Sequence, residues 1–93
     1  MFMMVNMLLT VEHRILVTLL EHGPLQNSHI AKRVGITEQW CSQIMARLQR
    51  ERLVESEFKP PRRINRLTER GVEIATRLKE VSENLNKVKE DVI

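Results

Sequence analysis

The sequence predicts a mainly α fold carrying one small β-hairpin, and three observations predict it. Apolar residues recur at helical spacing in three separate stretches of the first half of the chain. The stretch Leu53–Phe58 then alternates like a strand and runs into Pro60 and Pro61, which cannot continue a ladder. After Thr68 an apolar repeat extends without proline to the last residues. The 93 residues suffice for one domain with one core. Phe2, Trp40 and Phe58 are the only aromatic residues, so aliphatic side chains and Met must fill that core, which suits packed helices.

The first helix is predicted to begin at Thr10, a good N-cap, with Glu12 in the first turn where an acid suits the helix dipole. Val11, Ile15, Leu16, Leu19 and Leu20 form its apolar face, and Gly23-Pro24 stops it. A short second helix should start near Asn27 or Ser28, both capping residues, carry Ile30, Ala31 and Val34 inward, and end at Gly35. Thr37 caps a third helix that runs to about Arg52, with Cys41, Ile44, Met45 and Leu48 as its apolar stripe. Residues 53–58 and 64–67 make the two strands of the hairpin, and Thr68 with Glu69 opens a long last helix. Two helices joined by a tight glycine-containing turn, with a hairpin behind them, make a winged helix-turn-helix.

Charge is unevenly placed. The net of +3 arises from one stretch, Lys59 to Arg70, in which five basic residues meet a single acid; the residues before it net zero and those after it net −1. A local basic patch is the electrostatic footprint of a phosphate-backbone partner. The single Cys41 excludes an intrachain disulfide. His13, His22 and His29 have no carboxylate or cysteine motif nearby, so neither a metal nor a cofactor is expected. No nucleophile–base set and no phosphate-cradling glycine loop is present, which argues against an enzyme. Residues 1–9, MFMMVNMLL, lack the basic start and the cleavage site of a signal peptide, and no run reaches the ~20 apolar residues of a membrane span. A cytoplasmic protein is expected.

The residues also match a known pattern. The run His29 to Thr37 (HIAKRVGIT), followed by Cys41, Ser42, Ile44, Leu48, Leu53 and Val54, resembles the helix-turn-helix of the MarR, ArsR and PadR groups of prokaryotic regulators. Leu67 to Gly71 (LTERG) looks like the LTxxG that closes the wing in MarR-type and PadR-type proteins. The resemblance covers about residues 10–75 and implies a winged helix that binds double-stranded DNA and regulates transcription. Proteins of this kind usually carry glycine where Arg52 stands, which implies a third helix that ends without its glycine cap.

Placing the apolar stripe of the third helix inward puts Gln39, Gln43, Ala46 and Arg50 on the opposite side, flanked by Thr37, Trp40, Ser42 and Arg47. Glutamine can pair bidentately with adenine, alanine can touch a thymine methyl, and arginine can take guanine or phosphate. The alternative for this row is an ordinary solvated face. Trp40, at its edge, is expected to pack on the scaffold, with the DNA backbone as its other possible contact, and Cys41 is expected to be a small core residue and not a reactive thiol. In the hairpin, Lys59, Arg62, Arg63 and Arg66 are the candidate DNA contacts; two arginines behind two prolines suit phosphate or a narrow minor groove. In the last helix Ile74, Leu78, Val81, Leu85, Val88 and Val92 step by four and three, a heptad seam that seeks a partner helix. Val72 and Ala75 are expected to pack back on the domain, while the seam and residues 1–9 are expected in a homodimer. The chain thus divides into an extension at 1–9, a winged-helix domain at 10–70 and a dimerisation helix at 71–93. The rival class is a winged-helix module that binds another protein and no specific DNA.

Overall fold

The computed structural model describes residues 10–92, with the side chains of its last helix described to residue 84. Four helices and a two-stranded sheet follow in order: α1 (Val11–His22), α2 (Asn27–Val34), α3 (Glu38–Arg50), β1 (Val54–Lys59), β2 (Arg62–Leu67) and α4 (Glu69–Val92). The segment 1–9, expected in a dimer interface, lies outside the described residues.

The helix ends follow the local chemistry. Thr10 accepts from the His13 N–H at 3.2 Å, and Thr37 accepts from the Trp40 N–H at 3.1 Å, each satisfying a donor that the first turn cannot pair. Gly23 and Gly35, at φ +78° and +84°, close α1 and α2 by donating back to Leu19 and Ala31. The expected cap of α2 is corrected. Gln26 holds the cap position without a side-chain bond, because the Asn27 side chain is engaged elsewhere. α3 ends at Arg50, two residues earlier than expected, and its closing residue Arg52 sits in the left-handed region at φ +62°.

The core gathers Ile15, Leu16 and Leu19 of α1, Ile30 and Ala31 of α2, and the whole stripe Cys41, Ile44, Met45 and Leu48 of α3. Leu53, Val54 and Ala75 complete it. Burial pushes the Cys41 thiol above its usual range, and the nearby Glu38 carboxylate adds to the shift. Its Sγ donates to the Asn27 carbonyl at 3.6 Å, as befits a small core residue.

The sheet is an antiparallel hairpin in which Val54 faces Leu67 and Lys59 faces Arg62 across the two-residue turn Pro60-Pro61, joined by a cis peptide. Both strands reach further toward the tip than the sequence suggests, because that turn leaves Lys59, Arg62 and Arg63 inside the ladder. Leu53 stays outside it, since its N–H is spent on Leu48. Beside the sheet, Leu25 forms an isolated antiparallel bridge with Asn65, exchanging both backbone bonds at 3.0 and 2.8 Å.

The junction between hairpin and α4 explains the LTERG run. Thr68 donates its hydroxyl to the Arg52 carbonyl at 2.6 Å and accepts from the Gly71 N–H at 3.0 Å. Its own N–H reaches the Leu53 carbonyl at 3.0 Å. A Cβ at Gly71 would run into that same carbonyl, so only glycine lets α4 leave the hairpin here. α4 then packs along α1. Ala75 is buried as expected, but Val72 is 43% exposed, because its side of the helix opens onto a surface recess beside Leu20 and Leu67. Ile74 and Leu78 of the predicted seam are half-buried against this chain's own core, whereas Val81 is 48% exposed. The side chains of Leu85, Val88 and Val92 lie outside the described residues.

Candidate nucleic-acid interface

α3 presents two faces of opposite character. Its apolar stripe is at most 3% exposed, while Thr37, Gln39, Trp40, Ser42, Gln43, Ala46, Arg47 and Arg50 are all exposed. Among the described residues, the side chains of Gln39, Gln43 and Arg50 have no hydrogen bond or ion pair within the chain, so their donors and acceptors are open to a partner. Three flanking residues are engaged. The Thr37 oxygen caps the helix, the Ser42 hydroxyl accepts from Asn27 Nδ2 at 3.2 Å, and Arg47 meets Glu12 of α1 at 3.7 Å. An ion pair this exposed contributes under about 1 kcal/mol and yields readily to a phosphate. Trp40 is 47% exposed, which corrects its expected packing on the scaffold. It lies in the first turn of α3.

The hairpin register separates the wing cations. Alternation puts Val54, Ser56 and Phe58 on one face with Leu67, Asn65 and Arg63, and Glu55, Glu57 and Lys59 on the other with Arg66, Ile64 and Arg62. Arg62 and Arg63, neighbours in sequence, therefore point to opposite sides. Arg63 lies over the Phe58 ring at 5.6 Å and donates to Ser56 Oγ at 3.5 Å, so its guanidinium is steadied at the tip. Arg66 stands between Glu55 and Glu57, 3.3 Å from each, and its charge is offset locally. Of the four predicted wing cations, Lys59, Arg62 and Arg63 have no acidic partner among the described residues.

The joint between wing and helices was missed from sequence. Asn65, 1% exposed, donates its side-chain Nδ2 to the Leu25 carbonyl at 3.1 Å and to Asn27 Oδ1 at 2.7 Å. Asn27 in turn donates to Ser42. One chain of amides thus ties β2 to the N-terminus of α2 and to the outward side of α3. An asparagine in a short polar strand gives no local sign of this; only the pairing of Leu25 with Asn65 brings the three together.

Residues 8–55, just over half of the chain, match the family described as winged helix-turn-helix DNA-binding. The chain belongs to this family. Its winged-helix fold recurs in solved structures. It is similar to the PcaV transcriptional regulator of Streptomyces coelicolor in complex with its natural ligand, at 23% identity and TM-score 0.77, over 91% of this chain and 62% of that one. A variant of Lactococcus lactis ZitR in complex with DNA aligns at 21% identity and TM-score 0.83, over 89% of this chain and 58% of that one. MepR, a transcription regulator of the Staphylococcus aureus multidrug efflux pump MepA, aligns at 18% identity and TM-score 0.77, over 90% and 64%. This winged-helix chain spans about three fifths of the length of these proteins, and at such identities what they share with it is the fold. No curated protein matches it in sequence. No helix among the described residues is long and apolar enough to cross a membrane, and none of their His, Cys, Asp and Glu side chains gather in threes that could hold a metal ion.

Proposed function

We propose that this winged-helix protein is a homodimeric transcription regulator that reads double-stranded DNA by sequence in the cytoplasm, with neither metal nor cofactor. The observation that carries the reading is the outward row of α3: Gln39, Gln43, Ala46 and Arg50 stand opposite a fully buried stripe and have no side-chain partner among the described residues. In the major groove such a row supplies amides for adenine, a methyl for thymine and a guanidinium for guanine or phosphate. Thr37, Trp40, Ser42 and Arg47 border it and reach the backbone. Lys59, Arg62 and Arg63 at the wing tip meet phosphates or a narrow minor groove, and Arg66 contributes least because Glu55 and Glu57 hold it. That a ZitR variant of the same fold forms a complex with DNA supports DNA as the partner.

Residues 71–93 would pair two copies. The described part of the seam ends in Val81, an apolar side chain left in solvent after Ile74 and Leu78 have turned to the core. Val81, Leu85, Val88 and Val92 continue the four–three spacing and would pack on the partner's helix, with the 1–9 segment as a further apolar contribution. A two-fold dimer presents its reading helices to successive major grooves about 34 Å apart.

The test is selection from a random duplex pool, followed by titration at several salt concentrations. The expected result is an enriched inverted repeat with half-sites about one helical turn apart, and an affinity that falls steeply with salt. A salt slope near zero would favour the protein-binding alternative.

A further inference from the structure

We propose that Ser42 is a directed hydrogen-bond donor to DNA, aimed by an amide relay through Asn27 that starts at the buried Asn65 of the wing. The proposal rests on the DNA-binding reading above and names a positioning role for the two asparagines. The direction of the relay follows from one fixed point. The Leu25 carbonyl can only accept, so the atom Asn65 turns toward it at 3.1 Å is its amide nitrogen. The same nitrogen lies 2.7 Å from Asn27, which must therefore present its oxygen there. That leaves Asn27 Nδ2 toward Ser42 Oγ, 3.2 Å away, where it donates. Ser42 is thus an acceptor on its inner side, and its one proton has to point elsewhere.

Inside a helix the usual outlet for such a proton is the carbonyl four residues back. Thr18 and Thr76 use it, donating to Arg14 and Val72 at 2.8 Å each. Ser42 makes no such bond among the described residues, and it is exposed beside the outward row of α3. Its hydroxyl proton is left for a partner on that face, and the acceptors DNA offers there are phosphate oxygens and base edges. The relay also makes this donor conditional on wing position, because the first amide sits on β2.

Asn27→Asp tests the direction. A carboxylate still accepts from Asn65, so the buried end keeps its bond, but toward Ser42 it offers only an acceptor. The hydroxyl must then turn inward and shows lone pairs to DNA. In the otherwise unchanged protein, Ser42→Ala should lower duplex affinity on the order of tenfold; in the Asn27→Asp background the same change should lower it less than about twofold. The added negative charge weakens both Asn27→Asp proteins alike and cancels in the ratio, and a melting curve confirms that each is folded. If Asn27→Asp does not fold, Asn27→Ala serves, since it unaims the hydroxyl, and the Ser42→Ala effect should shrink there too. Equal Ser42→Ala effects in the two backgrounds, or none in the unchanged protein, overturn the relay while leaving DNA binding intact. A protein that binds no duplex at all overturns the DNA-binding reading itself.

Discussion

Replacing Arg52 with glycine should stabilise this protein, and the size of the gain can be worked from the end of α3. Arg52 occupies φ +62° directly after the C-cap Glu51. The surrounding bonds form a complete Schellman closure: Arg52 N–H to the Gln49 carbonyl and Leu53 N–H to the Leu48 carbonyl, both at 3.0 Å. Leu48 and Leu53, both buried, supply the accompanying apolar contact. The motif is intact, so the cost of a Cβ in this region, about 1–2 kcal/mol, is borne by the fold. Glycine removes that cost and returns about 0.5–1 kcal/mol through the greater freedom of the unfolded chain. The net gain is about 0.5–1 kcal/mol, or roughly 2–8 °C in melting temperature for a domain of this size. The Arg52 side chain is exposed and has no ion pair among the described residues, so Arg52→Ala, which keeps the Cβ, should leave stability nearly unchanged. Thermal and urea denaturation at one fixed protein concentration separate the two variants. Equal stability of the glycine and alanine proteins would refute the reasoning.

Arg62→Ala and Arg63→Ala should each flatten the salt dependence of DNA binding by about 0.9 per protomer, while Arg66→Ala should flatten it less because two carboxylates offset its charge; an equal change from Arg66 would count against this ordering. Gln43→Ala should cost about 1–3 kcal/mol of discrimination at one base pair and little on random DNA, and an equal loss on both would make it a backbone contact. Val81→Glu changes an exposed side chain, so it should move monomer stability by less than about 0.5 kcal/mol yet halve the mass seen in sedimentation; a wild type already monomeric at micromolar concentration would sink the dimer. Gly71→Ala gains about 1 kcal/mol of helix propensity but drives a Cβ into the Leu53 carbonyl. That carbonyl is fixed by Thr68, so the net loss should exceed about 2 kcal/mol in denaturant unfolding.

The readings that succeeded rest on rules acting within four residues. Thr10, Gly23, Gly35 and Thr37 punctuate the helices as local capping chemistry demands, and the apolar stripes face inward because a single core lies on one side of each helix. What was not legible in the sequence required long-range information. Asn27 has the chemistry of a cap, but a neighbour 38 residues away claims its side chain. Arg66 counts as a free cation until the register sets it opposite Glu55. Leu53 looks like the first residue of a strand until the helix closure takes its N–H. The seam of α4 divides at Leu78 because spacing alone cannot tell an apolar stripe facing its own domain from one facing a partner.

If α3 reads DNA as proposed, folding and reading place different demands on it, and the helix divides them between a central row and a shared border. A side chain that reads a base must keep its donors and acceptors unspent; one that holds the fold must spend them or bury apolar surface. Gln39, Gln43, Ala46 and Arg50, directly opposite the core, are unspent among the described residues. The residues beside them are shared: Thr37 caps the helix, Ser42 closes the amide chain from the wing, and Arg47 leans on α1. Substitution in the central row should therefore change which sequence is bound while leaving stability within the small range of exposed sites. Substitution at the shared border should move both, because there the groups that would face DNA are also the groups that fix α3 against α1, α2 and the wing. On that proposal, specificity should shift by exchange within the row, provided the border keeps the helix at the same angle to the groove.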